Sequence, residues 1–326
     1  MKRFISTVAV VILAAAAGYA EGEPEFAAQN RELNGKVFRS VKAVQVEGAF
    51  CVVSAAGMAE NGVKVGVTIE DEYTAVHYEL KGDTLHIWVE RDGDLFSGAP
   101  MGKNALEFSL PAGTNYLVKN SSGKVELREH QASSIKLIAS SGSILARECS
   151  GALALSASSG DIRLVDAEGD VTSRTSSGAQ HLEKVKGAVS CRSSSGSLAL
   201  SDIEGDVNAE TSSGSVTLIR ITGRTVTMQS SSGSQRLDTV NAALDIKSSS
   251  GEITGEKITL AGDSTLRTTS GAVILELTNR DDCSFTLTSS SGSLAVGDRG
   301  SRKRLAVPGG KIRVKASSSS GSIRFE

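Results

Sequence analysis

The sequence predicts an all-β protein: a parallel β-solenoid of about eighteen-residue coils with an N-terminal β-rich capping region. The first observation is a repeated tripeptide. Ser-Ser-Gly, or Thr-Ser-Gly once, ends at Gly123, Gly142, Gly160, Gly178, Gly196, Gly214, Gly233, Gly251, Gly271, Gly292 and Gly321. The successive steps are 19, 18, 18, 18, 18, 19, 18, 20, 21 and 29 residues. The second is a further glycine column halfway between, at Gly151, Gly169, Gly187, Gly205 and Gly223. The third is alternation. Counting from each Ser-Ser-Gly glycine, positions +2 and +4 are Ile144 and Ala146, Ile162 and Leu164, Leu198 and Leu200, or Val216 and Leu218. Position +7 is Val185, Ile203, Ile221 or Val240, and position +11 is Leu153, Val171, Val189, Val207 or Leu244. Gln180 and Gln235 interrupt the +2 column. Period-two alternation in short runs, each opened by a glycine, describes two strands per coil.

Such a coil cannot stand alone, because four inward side chains do not offset the entropy of ordering the whole coil. Stacked coils share one core and hydrogen-bond to both neighbours, so equivalent positions form columns along the axis. With about 4.8 Å between stacked strands, roughly ten coils give a rod on the order of 50 Å long. The glycine is expected where a corner needs φ > 0 or where stacking leaves no room for a Cβ. The serines before it suit a corner, because hydroxyls satisfy turn backbone groups. A structural corner ladder is therefore expected at Ser141, Gly142, Ser159, Gly160, Ser177, Gly178, Ser195, Gly196, Ser213 and Gly214.

The N-terminus reads as a targeting segment. Lys2 and Arg3 precede an apolar run from Phe4 to Ala17, and Gly18 and Ala20 supply small residues for cleavage after Ala20. Residues 1–20 are thus expected to be a signal peptide, and the protein to be exported, whether periplasmic, on the cell surface or secreted. Losing Lys2 and Arg3 takes the net charge from -2 to -4. No integral membrane segment is expected after removal. Residues 21–36 are polar and aperiodic and read as a flexible leader.

Residues 37–118 hold most of the aromatic residues and read as the N-terminal β-rich cap or first coils; residues 119–326 are the repeat solenoid. In the cap, Val76, Tyr78 and Leu80 alternate before Gly82-Asp83, and Leu85, Ile87 and Val89 alternate after it, a hairpin signal. Val63 to Ile69 and Leu106 to Leu110 alternate too. Residues 92–104 read as a loop.

The motifs Ser158-Ser159-Gly160-Asp161-Ile162-Arg163-Leu164, Gly169-Asp170-Val171 and Gly205-Asp206-Val207 carry a resemblance. They resemble a bacterial family of candidate adhesins of unknown function, similar to the head domains of candidate auto-transporter adhesins. Val44 to Phe50 looks like that family's opening strand and turn, Asp83 to Ile87 looks like a later strand, and Leu106 to Pro111 sits just before the first Ser-Ser-Gly as in that family, so the resemblance runs over roughly residues 40–326. It implies a right-handed solenoid and an adhesive role.

Little in the sequence points to chemistry. A small net charge excludes the strongly basic surface of a nucleic-acid binder. The four histidines, His77, His86, His130 and His181, form no His-Glu-x-x-His, and Cys51, Cys149, Cys191 and Cys283 form no Cys-x-x-Cys, so no metal site is expected. The cysteines read as buried thiols. His77 and Trp88 read as a surface pair across the hairpin. Calcium-binding rolls need Gly-Gly-x-Gly-x-Asp turns, whereas Asp161, Asp170 and Asp206 follow single glycines. No column collects carboxylates, and no Gly-x-Ser-x-Gly frames a nucleophile, so neither catalytic residues nor a cofactor are expected. Arg299, Arg302, Lys303, Arg304 and Lys311 read as a solvated loop or a contact for an anionic envelope polymer. The expected function is a non-enzymatic scaffold binding an envelope or extracellular protein or glycan through its solenoid surface. The alternatives are a glycan-active β-helix enzyme and an envelope accessory or sensor protein.

Overall fold

The structure is a computed structural model describing residues 30–58, 61–70, 73–91 and 103–326. The expected signal peptide and most of the expected 92–104 loop lie outside the described residues. All described strands join one continuous sheet wound into a β-solenoid. In a regular coil one strand pair repeats: Ile162–Glu168 after the Ser-Ser-Gly corner, and Val171–Thr175 after the second glycine. Each strand pairs in parallel with its equivalents eighteen residues before and after. Ile162 thus lies between Ile144 and Gln180, and Val171 between Leu153 and Val189. Positions +2, +4, +7 and +11 point inward, and one hydrophobic core runs from Leu33 to Phe325.

A third corner lies between the two expected ones. Glu129, Glu148, Asp166, Lys184, Asp202, Arg220, Thr239 and Lys257 form a column at +6, all with φ between 50° and 61°. This left-handed bend lets +4 and +7 both face the core without a residue between them turning inward. Its occupants are mostly charged, so no glycine marks it in the sequence.

The two ends close by one device. Near the N-terminus, Ala43–Gly48 pairs in parallel with both Thr84–Arg91 and Asn115–Asn120. Val52–Met58 likewise pairs with both Ala105–Pro111 and Val125–Ala139. The first strand pair in the chain is therefore the second layer in space. The outer layer is covered by antiparallel strands: Val63–Thr68 on Ala105–Pro111, and Thr74–Lys81 on Thr84–Arg91. The latter is the expected hairpin, with His77 opposite Trp88.

At the other end, Ile312–Ser318 pairs in parallel with both Ser264–Thr268 and Cys283–Ser289. Ile323–Phe325 pairs with both Val273–Leu277 and Leu294–Val296. This strand pair follows the outermost coil in the chain but lies beneath it. The long 29-residue step is the chain passing over the outer coil and returning under it. The basic stretch, expected as a loop, contributes two strands instead. Arg299–Ser301 and Arg304–Val307 run antiparallel on the outer coil, because Leu305 and Val307 turn toward the core.

The expected leader also ends earlier than residue 36. Residues 30–33 form a helical turn whose Leu33 is 0 % exposed. Asn30 accepts from the Val76 N–H at 2.9 Å, and Asn34 from the Val67 N–H at 3.0 Å, so this segment is pinned over the N-terminal end of the rod.

Candidate binding surface

The Ser-Ser-Gly corner is shaped by close stacking. A Cβ on Gly160 would lie 1.9 Å from the Gly142 carbonyl oxygen, and the same holds at 2.0 Å between Gly178 and Gly160. Gly169 in the second column has both constraints, with φ +125° and a Cβ position 2.3 Å from the Gly151 carbonyl oxygen. Ser141, Ser159, Ser177, Ser195 and Ser213 are exposed, and their stacking runs through main-chain bonds such as Ser159 N–H to Ser140 O at 3.0 Å. Gly142, Gly178, Gly196 and Gly214 are buried and Gly160 is half-buried.

The hydroxyls that hold this corner sit three residues before each glycine and face inward. Ser193 Oγ accepts from Gly196 N–H at 2.8 Å, Thr211 Oγ1 from Gly214 N–H at 3.0 Å, and Ser230 Oγ from Gly233 N–H at 2.9 Å. Thr175 and Ser248 instead donate to the Gly178 and Gly251 carbonyls, both at 2.9 Å. A buried hydroxyl thus satisfies a corner group that water cannot reach. Gln180 and Gln235 stay inside the core. Their amides cross it to donate to the Arg192 carbonyl at 2.6 Å and the Lys247 carbonyl at 2.9 Å.

These carbonyls belong to the wall of an open groove of about 680 Å³ that runs along the rod beside the corner. Its floor carries Ser194, Ser212, Ser231, Ser249 and Thr269. Its rim carries Arg174, Arg192, Glu210, Gln229, Lys247 and Arg267, one residue per coil. Arg192 and Glu210 form a two-point ion pair, with both N–O distances 3.0 Å. Lys247 reaches Asp245 at 3.4 Å. Arg174 and Arg267 are exposed and have no ion-pair partner among the described residues. Five coil steps separate them, about 24 Å along the axis. The groove can therefore present hydrogen-bonding hydroxyls between two free guanidinium groups.

Elsewhere on the rod, several carboxylates bind from coil to coil. The Asp161, Asp170 and Asp206 carboxylates accept main-chain N–H groups of Ala179, Ala188 and Arg224 at 2.8, 3.0 and 2.9 Å. That is a structural use of the Gly-Asp motif. Asp206 is held below the usual carboxylate range by the Thr225 N–H and the Arg224 side chain, and Asp202 by its hydrogen bond to Arg220. Asp263 accepts from the Arg313 N–H at 2.9 Å, the same bond made to the inserted strand fifty residues on. Among the described residues no group of three His, Cys, Asp or Glu gathers as a metal site. No described helix is long and apolar enough to cross a membrane. All four cysteines are unpaired and buried; burial pushes Cys51, Cys149 and Cys283 up to about 11 and Cys191 to about 12. His77, Trp88 and His86 stack in series on the hairpin, with ring centroids 5.3 and 5.2 Å apart.

No curated protein matches this chain. A solved structure of a candidate cell adhesion protein from Clostridium sporogenes ATCC 15579 aligns over 89 % of this chain and 96 % of that one, at 9 % identity and a TM-score of 0.17. A likeness that weak carries no argument. A family model described as Toastrack DUF4097 matches residues 166–326. Over that stretch, just under half of its length, the chain is similar to this β-solenoid family.

Proposed function

We propose that this chain is an exported, non-enzymatic scaffold that holds an envelope or extracellular partner along the groove beside its Ser-Ser-Gly corner. The observation that carries this reading is the groove itself, with a hydroxyl floor bounded by the free guanidinium groups of Arg174 and Arg267. Its walls are main-chain ladders anchored from inside by Gln180 and Gln235, so the surface is pre-shaped and loses little entropy on binding. The inward, high-pKa thiols and the carboxylates tied to neighbouring coils support a binding role over a reactive one. The charge and apolar pattern of residues 1–20 supports export.

The test is retention of the chain from Glu21 on isolated cell-envelope fractions. Saturable retention by at least one fraction is expected. The double variant Arg174→Gln, Arg267→Gln should weaken it about tenfold, since two exposed contacts of about 0.7 kcal/mol each give that factor. Its thermal midpoint should stay unchanged, because neither side chain is paired. No retention by any fraction overturns the scaffold reading.

A further inference from the structure

The groove does not use the most concentrated charge on the molecule. Arg299, Arg302, Lys303 and Arg304 fall within six residues, all four are exposed, and none of their side chains has an ion-pair or hydrogen-bond partner among the described residues. Along the rod the opposite holds. Arg192 pairs with Glu210, Arg220 with Asp202, Arg224 with Asp206 and Arg313 with Asp263, each across stacked coils. At the N-terminal end, Lys36, Lys42 and Lys81 pair with Glu32, Asp83 and Glu79. Unpaired cations elsewhere on the rod, such as Arg174, Arg236 and Arg267, stand singly, whereas at the C-terminal tip four are crowded together.

The fold places this strip at the very end of the rod. Arg299–Ser301 and Arg304–Val307 lie antiparallel on the outermost coil, and Lys303 O, in the bend between them, accepts from the Ser289 N–H at 3.0 Å. Leu305 and Val307 turn inward, whereas Arg304 and Ala306 turn out. Gly300, Ser301 and Ala306 are small, so the cations protrude beyond their neighbours. The acidic groups of this end are Asp298, next to Arg299 in the chain, Asp281, which is paired with Arg280, Asp282, and Glu326, which is paired with Arg324 on the strand beneath. Protecting an end strand from edge-to-edge pairing requires charge of either sign. Crowding one sign adds self-repulsion that mixed charge avoids.

We infer that the Arg299–Arg304 strip is a docking surface for an anionic phospholipid bilayer, a contact separate from the groove. A rod end meets a plane with all four cations at once, whereas a polymer thread is better held by a groove, and the groove beside the Ser-Ser-Gly corner lies elsewhere. With no apolar side chain to insert, the contact is electrostatic and therefore salt-sensitive.

The experiment is co-sedimentation of the chain from Glu21, which carries every described residue, with phosphatidylcholine vesicles with and without phosphatidylglycerol. Binding is expected only to the anionic vesicles, falling as salt rises. Replacing Arg299, Arg302, Lys303 and Arg304 by Gln together should weaken it by roughly six-hundredfold, since each juxtamembrane cation contributes about fivefold. A control removing four exposed charges elsewhere, Arg39→Gln, Lys136→Gln, Arg147→Gln and Arg236→Gln, should change it less than about threefold. If the strip variant misfolds by circular dichroism, the bend pair Arg302→Gln, Lys303→Gln replaces it, with a loss of about twenty-fold expected. Equal losses in strip and control variants overturn the proposal, as do equal binding to neutral vesicles or no vesicle binding. Binding of soluble polygalacturonate to the strip more tightly than the vesicles overturns it in favour of an acidic polymer. Each outcome is read independently of the envelope-fraction result for the groove.

Discussion

The two ends of the rod share a topology and differ in their surfaces. At each, a strand pair is slipped beneath the outermost coil, and antiparallel strands cover that coil. The N-terminal end adds a helical turn plugged by Leu33, pairs Lys36, Lys42 and Lys81, and leaves Val37, Met58, Tyr73 and Leu80 partly exposed. The C-terminal end has no such plug and shows unpaired cations instead. Closing a solenoid is thus one problem, set by unpaired strand edges and an open core. What each end shows to its surroundings is a separate matter, decided by residues the closure does not need.

The largest effect should come from removing one slipped-in pair. Ending the chain after Pro308 deletes Val314, Ala316, Ile323 and Phe325 from the core, at about 1.5–3 kcal/mol for each large side chain, and leaves the outer coil without a parallel neighbour. Amide exchange protection over residues 283–296 should collapse while that over 171–211 persists. Adding a peptide of residues 309–326 in trans should restore part of it. Unchanged protection would mean the outer coil stands without the pair.

Corner glycines test the same order more finely. Gly321 stacks on Gly271, and Gly292 stacks on Gly321, although Gly292 comes first in the chain. Gly321→Ala forces a Cβ to 1.8 Å from the Gly271 carbonyl oxygen between two layers and should cost about 3 kcal/mol or more in urea unfolding. Gly292→Ala should cost roughly half that, because its outer side is open to relaxation. The reverse ranking would mean that the coils stack in chain order.

Leu33→Ala tests the plug that only the N-terminal end has. A loss of about 2–3 kcal/mol is expected, with increased exchange confined to residues 63–81. A loss below about 0.5 kcal/mol would show the turn to be ornamental to closure.

Acid should loosen the two ends in different ranges, with the smallest effect. His130, near the N-terminal end, is 1 % exposed, and burial lowers its pKa below 6.5 despite its hydrogen bond to Thr114 O. The folded state then binds that proton less readily than the unfolded chain. Stability is full above about pH 6.5 and falls as pH drops from there toward the lowered value. Asp263, which ties Arg313 of the C-terminal pair, is also lowered, by the Arg313 side chain and N–H. Its contribution is present above the ordinary value of 3.8 and is lost as pH falls through the folded one. Between pH 7 and 5 the urea midpoint should therefore fall in the native chain and less in His130→Gln, while Asp263→Asn lowers the midpoint evenly above about pH 4 and alters its slope with pH only below that.

The regular middle of the rod was legible because its strongest constraints are steric and periodic. Gly160 and Gly169 have no tolerable substitute, and Ile162, Leu164 and Val171 alternate as strand residues must. The bend at Asp166 and Lys184 was not legible, since charged side chains there carry no signal of left-handed backbone. Thr175 and Ser193 carried no signal, because a hydroxyl satisfied by a corner group has the same residue type as one facing water. Gln180 read as a break in the core, yet it fills the column and fastens the groove wall. The ends were hidden for another reason. Partners such as Asp263 and Arg313 sit far apart in the chain, and only the lengthened final step hinted that the path doubles back. The groove followed from none of the motifs, because its rim residues differ in type from coil to coil.

Interleaved ends have a consequence for how such a protein can change size. Every coil from Gly142 to Gly251 sees the same neighbours above and below, so duplicating one eighteen-residue unit there would lengthen the rod by about 4.8 Å and leave both closures intact. The same duplication between Gly271 and Gly321 would put the wrong strand beneath the outer coil. Length is therefore free to vary in the middle of the gene and fixed at its margins.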